Sequence, residues 1–450
     1  MPSAVPIVQG RSSSAPASIE GDSGILLPPN RFYDEESQRI SNLIDEELRK
    51  ESQKQKEARR RQVKVMLLGQ AESGKSTLQK QFQIYYASQS LDRERPSWKP
   101  IVHFNIIKAV KTMLEEIDYE LSHPGEDLDI EEFIRPTATE SQTLSLLRTR
   151  LLPLVALHDS LASELSGGVS FSRGLTGVFV RAGWQGLSQA NPTRRGGPGG
   201  VAVLAAKALD SAREDIEALW VHGVVRQMVK LRKLRLEESA PFFLDNVARI
   251  SEPDYLPNVD DVLNVRLQTL GVIEHSFPIN LGGTMYDWRL YDVGGARGQR
   301  HAWVPYFEDA TAIIFLAPIS AFDQYLEEDP KTNRIDDSLQ LFTLICSNKL
   351  LKKAHLVLML NKTDLLKAKL RSGIRVQKYI TSYGNRPNKY DDVASYFRAH
   401  FMQVHKRKDV SNRSLYLHFT SMLDIKATQS IIVNVGEAII RQHIAQTGLT

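Results

Sequence analysis

The sequence predicts an α/β protein: a parallel-rich, six-stranded sheet covered by helices and interrupted, after its first helix, by an all-helical insertion. Three observations carry this. A strand, a glycine loop and a helix start follow one another between Val63 and Tyr86. From Phe277 to the C-terminus, short apolar runs alternate with helical stretches. Between these, about residues 93–263 read as helical.

Taken in order, residues 1–33 are rich in Ser, Pro and Gly and are expected to be a disordered tail. Residues 34–62 read as a polar helix with a narrow apolar stripe, Ile40, Leu43, Ile44 and Leu48, ending in a basic run from Lys54 to Arg61. A solvated face and a partner-docking face both fit that pattern. Val63–Leu68 is a short buried strand and Thr77–Tyr86 a helix. Trp98–Ile117 is one long amphipathic stretch, and Val247–Ile250 is the last apolar fragment of the insertion. Within the insertion, residues 151–212 hold a β-like Gly177-Val178-Phe179-Val180 and a Gly/Pro-rich loop from Asn191 to Gly200, read either as a surface excursion or as a partner-binding element. Phe277–Leu281 and Met285–Tyr291 flank Gly282-Gly283, a hairpin signal. Ala312–Ile319, His355–Leu360 and Leu415–Thr420 complete the strands, with helices at Ile335–Leu350, Asp391–Lys406 and Ala427 to about Ile444.

At 450 residues the chain exceeds one ordinary core, and 42% hydrophobic with 24% charged content is that of a globular protein. A net charge of +4 gives no argument for bulk nucleic-acid binding. The single cysteine, Cys346, excludes a disulfide within the chain and suits a reducing compartment. No apolar run approaches a membrane span, and the N-terminus lacks a secretory pattern.

Gly69-Gln70-Ala71-Glu72-Ser73-Gly74-Lys75-Ser76 matches G-x-x-x-x-G-K-[ST] in the strand–loop–helix context that gives it meaning. Backbone N–H groups of such a loop and the following helix N-terminus cradle phosphate. Lys75 would reach the β- and γ-phosphates, and the Ser76 hydroxyl would bind Mg²⁺. Asp292-Val293-Gly294-Gly295 closes a strand; Asp292 can hold Mg²⁺ through water, and Gly295 lets backbone approach a γ-phosphate. Asn361-Lys362-Thr363-Asp364 closes another. The acceptor-only carboxylate of Asp364 suits the N1–H and N2–H donors of guanine and not adenine. Lys362 would lie against the base, Asn361 would tie the loop together, and the backbone N–H of Met422 would meet the guanine O6.

Together these motifs resemble the α subunit of heterotrimeric G proteins, from about Asp34 to the C-terminus. The resemblance implies a Ras-like GTPase domain at residues 63–92 and 264–450, a helical domain at 93–263 and a partner-binding N-terminal helix at 34–62. The more specific match is Asp261 to Thr269, which looks like the family's first switch. It implies that Arg266 is a built-in arginine finger and that Thr269, with Ser76 and Asp292, completes the Mg²⁺ shell. The handling of phosphoryl charge by an arginine supplied in cis is known for this family. Further implied contacts to GTP or GDP are Gly69, Glu72, Ser73, Gly74, Thr77, Leu263 and Ser239, the last in a segment resembling the family's closure over the nucleotide. Arg297, Arg300 and Trp303 fit the second switch helix. Implied partners are a βγ dimer, a membrane receptor met by the C-terminal helix, effectors and RGS-type regulators; nucleic acid is not among them.

The chain departs from the family at Ala296, where the pattern has the glutamine that orients the attacking water. Lys75 and Arg266 remain as catalytic groups, so hydrolysis is expected to be slow while binding is retained. Gln299 lies three residues on, where a helix would carry it away from the phosphate. Ala71, Leu270, Ser421 and Met422 are further departures. Pro2 removes the glycine that myristoylation needs, and no cysteine near either end offers palmitoylation, so membrane association at the cytoplasmic side would run through partners or the basic run. The readings left open are a GTP/GDP switch, a GTP-binding module with negligible hydrolysis, and an adenine-nucleotide phosphotransferase, against which Asp364 argues.

Overall fold

The computed structural model describes residues 31–122, 136–166, 179–180, 200–234, 236–281 and 283–447. The tail up to residue 30, the loop from Asn191 to Gly199, Gly177-Val178, Gly282 and the last three residues lie outside these. The chain divides into two units, residues 1–59 and 60–450. The first is described by α1 (Arg31–Arg60), which starts three residues before the expected boundary. Its stripe of Ile40, Leu43, Ile44 and Leu48 is exposed.

The second unit is built on a six-stranded sheet. Its strands are β1 (Gln62–Leu68), β4 (Val272–Leu281), β5 (Thr284–Val293), β6 (Ala312–Pro318), β7 (His355–Asn361) and β8 (Leu415–Phe419). They lie in the order β4-β5-β1-β6-β7-β8. Strand β5 pairs with β1 in parallel, as do all pairs from β1 to β8; β4 and β5 are antiparallel, joined by a two-residue hairpin that sets Leu281 opposite Thr284. Period-two alternation sorts the central strands onto two cores. Val63, Val65 and Leu67 join Ile314, Leu316, Phe82 and Trp288 on one face. Met66 and Leu68 join Phe315, Leu358, Phe342 and Phe401 on the other.

Helix α2 (Lys75–Tyr86) covers the first face through Leu78 and Phe82, whose ring stacks on Trp288 at 5.8 Å. Then α3 (Ser88–Ser122), α4 (Ala138–Val155), α5 (His158–Leu165), α6 (Val201–Val221), α7 (Gly223–Lys230), α8 (Ala240–Asp245), α9 (Val247–Ile250) and α10 (Val259–Asn264) follow. They enclose a separate core that includes Ile101, Val110, Leu151, Leu209, Ile216 and Phe243. A two-residue strand, β2 (Phe179–Val180), pairs in parallel with β3 (Gln268–Thr269). The β-like reading of residues 177–180 thus holds for its second half, with a partner the sequence does not indicate. Helices α11 (Arg334–Ser347), α12 (Thr363–Arg371), α13 (Tyr390–Lys408) and α14 (Ile425–Thr447) complete the fold.

One strand differs from expectation. Strand β4 begins five residues early, at Val272, because the polar run Glu274-His275-Ser276 belongs to an edge strand, one of whose faces meets solvent. The helix expected around Arg297, Arg300 and Trp303 is present and is of the 3₁₀ type, Arg297–Tyr306.

Because β1 lies between β5 and β6, the strand order reverses there, and the carboxyl ends of the parallel strands β1, β5, β7 and β8 share one edge of the sheet, where such folds form a ligand crevice.

Candidate functional site

Four loops meet in that crevice. The first, Gly69–Gly74, leaves β1 and enters α2. Gly69 has φ +146° and Gly74 φ +101°, and a Cβ at Gly74 would overlap the Asn361 amide, so these turns require glycine. The Ser73 hydroxyl is buried without a hydrogen-bond partner, an orphan polar group inside the cradle. Lys75 is buried, and its Nζ donates to the Gly69 and Gln70 carbonyls at 3.1 and 2.6 Å. Burial pulls its pKa down to about 8, although the Asp292 carboxylate opposes the shift. Thr77 lies half-buried in the first turn of α2.

Beside the loop, residues 193 and 216 positions apart from Ser76 converge on it. The Ser76 hydroxyl donates to Asp292 Oδ2 at 2.7 Å and lies 3.1 Å from the Thr269 hydroxyl. Thr269 Oγ1 donates to the same Asp292 oxygen at 3.0 Å, while Asp292 Oδ1 is buried without a partner. Two hydroxyls and one carboxylate form a hard-oxygen set that suits Mg²⁺, and the orphan oxygen leaves acceptor capacity directed inward. The three residues named for the metal therefore come together.

Arg266 ion-pairs with Glu72 of the loop, and with Glu237 at 2.9 Å. Glu72, at φ +61°, also pairs with Arg334 at 2.9 Å. Burial raises the Glu72 pKa, but the charges of Arg334, Arg266 and Lys362 more than offset this and hold it at about 2. Arg334 also donates to the Ala71 carbonyl at 2.5 Å. The segment carrying Ser239 is fixed at both ends of the crevice: Glu237 holds Arg266, and Glu238 ion-pairs with Lys362. Ser239 is half-buried at the start of α8. Leu263 is buried near the end of α10, and its link to the site is its place three residues before Arg266.

At the other end, Asn361 Nδ2 donates to the Ser73 carbonyl at 2.8 Å, and its Oδ1 accepts from Thr420 Oγ1 at 3.0 Å. One side chain thus joins the phosphate loop, β7 and the loop after β8. Lys362 takes the left-handed conformation, φ +63°, and Asp364 stands exposed in the first turn of α12. Met422 is buried against the loop, with its carbonyl accepting from Gln81 at 2.8 Å.

The segment after β5 closes the crevice. A Cβ at Gly295 would overlap the Ala71 nitrogen and the Gln70 carbonyl group, so this backbone lies directly on the phosphate loop. The Trp303 indole donates to the Gly294 carbonyl at 2.9 Å. Ala296 caps the 3₁₀ helix and brings only a methyl group.

Sequence reasoning misses a latch behind this segment. Asp337, 2% exposed, accepts from Arg300 Nη2 at 2.6 Å, from Arg297 Nε at 3.0 Å and from Gln70 Nε2 at 3.0 Å. Burial works against its charge, yet the hydrogen bonds from Arg300 and Arg297 keep its pKa below the usual carboxylate value. Asp337 and Arg334 sit in the first turn of α11, which reads in sequence as an ordinary helix start; the Asn333 cap is the only signal.

The family described as G-protein alpha subunit matches residues 38–439. A relative named guanine nucleotide-binding protein alpha-4 subunit, from Mycosarcoma maydis, is 31% identical, the match covering 86% of this chain and 84% of that protein.

Proposed function

The chain belongs to the G-protein α-subunit family, whose members bind guanine nucleotides in signalling, and from that premise we propose that it is a GTP/GDP switch that hydrolyses GTP slowly. The observation that carries this is the meeting of Ser76, Thr269 and Asp292, distant in sequence, beside a glycine loop that Arg266 clasps through Glu72.

In this reading GTP lies along the crevice. Its phosphates take the N–H groups of Gly69–Ser76 and the Thr77 turn, with Lys75 at the β- and γ-phosphates. The base meets Asp364, Lys362 and the Met422 N–H, while Leu263 and Ser239 approach the nucleotide from the helical side. Ser76 and Thr269 would hold Mg²⁺ directly and Asp292 through water; bound there, the ion neutralises charge on the β- and γ-phosphates. Arg266 turns from its carboxylate partners to the transferring phosphoryl group, where charge builds up. Gly295 follows the γ-phosphate, and the Arg300–Asp337 latch holds the segment behind it. Loss of that phosphate releases the segment and changes the face offered to partners.

Ala296 supplies no group to orient water, which is the basis for slow turnover. The exposed stripe on α1 supports docking of a βγ dimer, and α14 supports contact with a membrane receptor; effectors and RGS-type regulators follow from the same reading. No helix among the described residues is long and apolar enough to cross a membrane; a place at the cytoplasmic face, held through partners, follows from the G-protein reading alone. The second reading, a GTP-binding module with negligible hydrolysis, rests on Ala296 alone.

Purified chain loaded with labelled GTP and Mg²⁺ tests both. The switch reading expects retention of GTP against excess ATP, and single-turnover hydrolysis that Ala296→Gln accelerates, up to roughly 10²–10³-fold, the worth of one preorganised group. Displacement by ATP would end the guanine assignment. GTP retained with no phosphate release above the uncatalysed rate would select the binding module.

A further inference from the structure

We infer that Glu237 governs when Arg266 can act: it holds the arginine to the helical insertion while the nucleotide is locked in, and Lys108 offsets its charge when the arginine leaves. The inference rests on the GTPase reading above. Its starting point is the terminal nitrogens of Arg266. Nη1 is ion-paired with Glu237 Oε1 at 2.9 Å, and Nη2 with Glu72 Oε1. An arginine meets a phosphoryl group through those same terminal N–H groups. The bond to Glu237 and full engagement of a phosphoryl group therefore exclude one another. Only the side chain has to move. The Arg266 N–H donates to Asn105 Oδ1 at 3.2 Å, and the Val265 carbonyl before it accepts from Lys80 Nζ at 3.0 Å, so the backbone is pinned at the root of the swing.

The exchange is feasible because neither carboxylate is left alone by it. Glu72 keeps Arg334, at 2.9 Å on its other oxygen. Glu237 keeps Lys108, whose Nζ donates to the same Oε1 that Arg266 uses. A carboxylate stripped of its partner away from water is destabilised, and a second cation removes most of that penalty. The site is shielded enough for this to matter: the Arg266, Glu237 and Lys108 side chains are 24%, 21% and 18% exposed. Burial opposes the charge on Arg266, and Glu72 and then Glu237 hold its pKa above the ordinary guanidinium value.

The same bond reaches the other end of the crevice. Glu237 is followed by Glu238, which ion-pairs with Lys362, and by Ser239 at the start of α8. Held by Glu237, Arg266 ties its own segment to the one read as closing over the nucleotide; turned to the phosphoryl group, it lets that segment go. Closure and catalysis thus draw on one guanidinium. Glu237 and Lys108 act through Arg266, as positioning residues.

Wild type is compared with Glu237→Gln, Lys108→Met, Arg266→Ala and a variant carrying both Arg266→Ala and Glu237→Gln. Each is loaded with GTP and Mg²⁺ and followed through one turnover, and release of a fluorescent GDP analogue is measured alongside. We expect Glu237→Gln to speed both hydrolysis and GDP release, roughly five- to tenfold, between the effect of an exposed ion pair and that of a hydrogen bond to a charged group. We expect Lys108→Met to act in the opposite sense, slowing hydrolysis at least about threefold with GDP release no faster than in wild type, because Glu237 then has Arg266 alone. A merely structural role would move both variants in one direction. In the Arg266→Ala background Glu237→Gln should add nothing to hydrolysis. Hydrolysis or GDP release in Glu237→Gln at or below the wild-type rate overturns the proposal. So does Lys108→Met that hydrolyses as fast as wild type or releases GDP faster, or a gain from Glu237→Gln that persists without Arg266. Failure of the wild type to retain guanine nucleotides, or no phosphate release from any of these proteins, would instead remove the GTPase reading beneath it.

Discussion

Replacing Asp337 by asparagine should release the second switch while leaving the nucleotide in place. The carboxylate accepts from two guanidinium groups and from the Gln70 amide in a pocket where it is 2% exposed. An amide of the same shape keeps the volume, removes the charge and turns one acceptor into a donor that faces other donors. Breaking one side of a buried ion pair costs about 3–5 kcal/mol. The lower end applies here, because Arg297 is 36% exposed and recovers hydration, while Arg300, 19% exposed, does not fully. About 3 kcal/mol is roughly a 100-fold change in the balance between closed and open forms. The cost falls on a short 3₁₀ segment and not on the sheet, so the fold should survive. Trp303 reports the outcome: its indole is 2% exposed and bonded to Gly294, next to the Gly295 backbone on the loop. In wild type, GTPγS with Mg²⁺ should change its fluorescence; in Asp337→Asn most of that change should be lost, with GDP still bound. A full fluorescence change in the variant would show that the latch does not hold the closed form, and the energetic reasoning would fail.

Two further outcomes are expected. Asp364→Asn replaces an acceptor by a group that also donates, and a hydrogen bond to a charged group contributes about 1.5–3 kcal/mol; GTP affinity should fall between ten- and roughly 100-fold in equilibrium binding, with an unchanged affinity refuting the base assignment. Glu72 is held at about 2, below its ordinary 4.5, so its stabilisation is complete above about pH 4.5 and is lost as pH falls towards 2. The shift corresponds to roughly 3 kcal/mol at neutral pH, of which roughly 2 kcal/mol should be gone by pH 3. The gap in unfolding free energy between nucleotide-free wild type and Glu72→Gln should shrink accordingly between about pH 6 and pH 3, and a constant gap would rule out the clasp as a charged interaction.

What can be read from sequence is local. Gly69–Ser76 and Asn361–Asp364 each keep their chemistry within a few residues at a strand end, so loop, strand and helix announce one another. The doubly buried strands show as apolar runs. The edge strand β4 reads short because polar residues at Glu274–Ser276 break the run, although they stay in register with β5. The latch is invisible because its members, Gln70, Arg297, Arg300 and Asp337, come from three elements and are ordinary polar residues until the chain brings them together. The 3₁₀ form of the helix after Ala296 is hidden for a different reason: the sequence there does not discriminate a turn every 3.0 residues from one every 3.6, roughly.

The pairing of Phe179–Val180 with Gln268–Thr269 has a mechanical consequence. A ribbon two residues long has too few bonds to persist on its own, so each half stays extended only while the other does. The Thr269 half is also tethered through its hydroxyl to Ser76 and Asp292. Any event that untethers Thr269 would therefore also loosen the only sheet contact of the inserted segment among the described residues, which ties that segment to the hydroxyl and carboxylate set at Ser76 and Asp292.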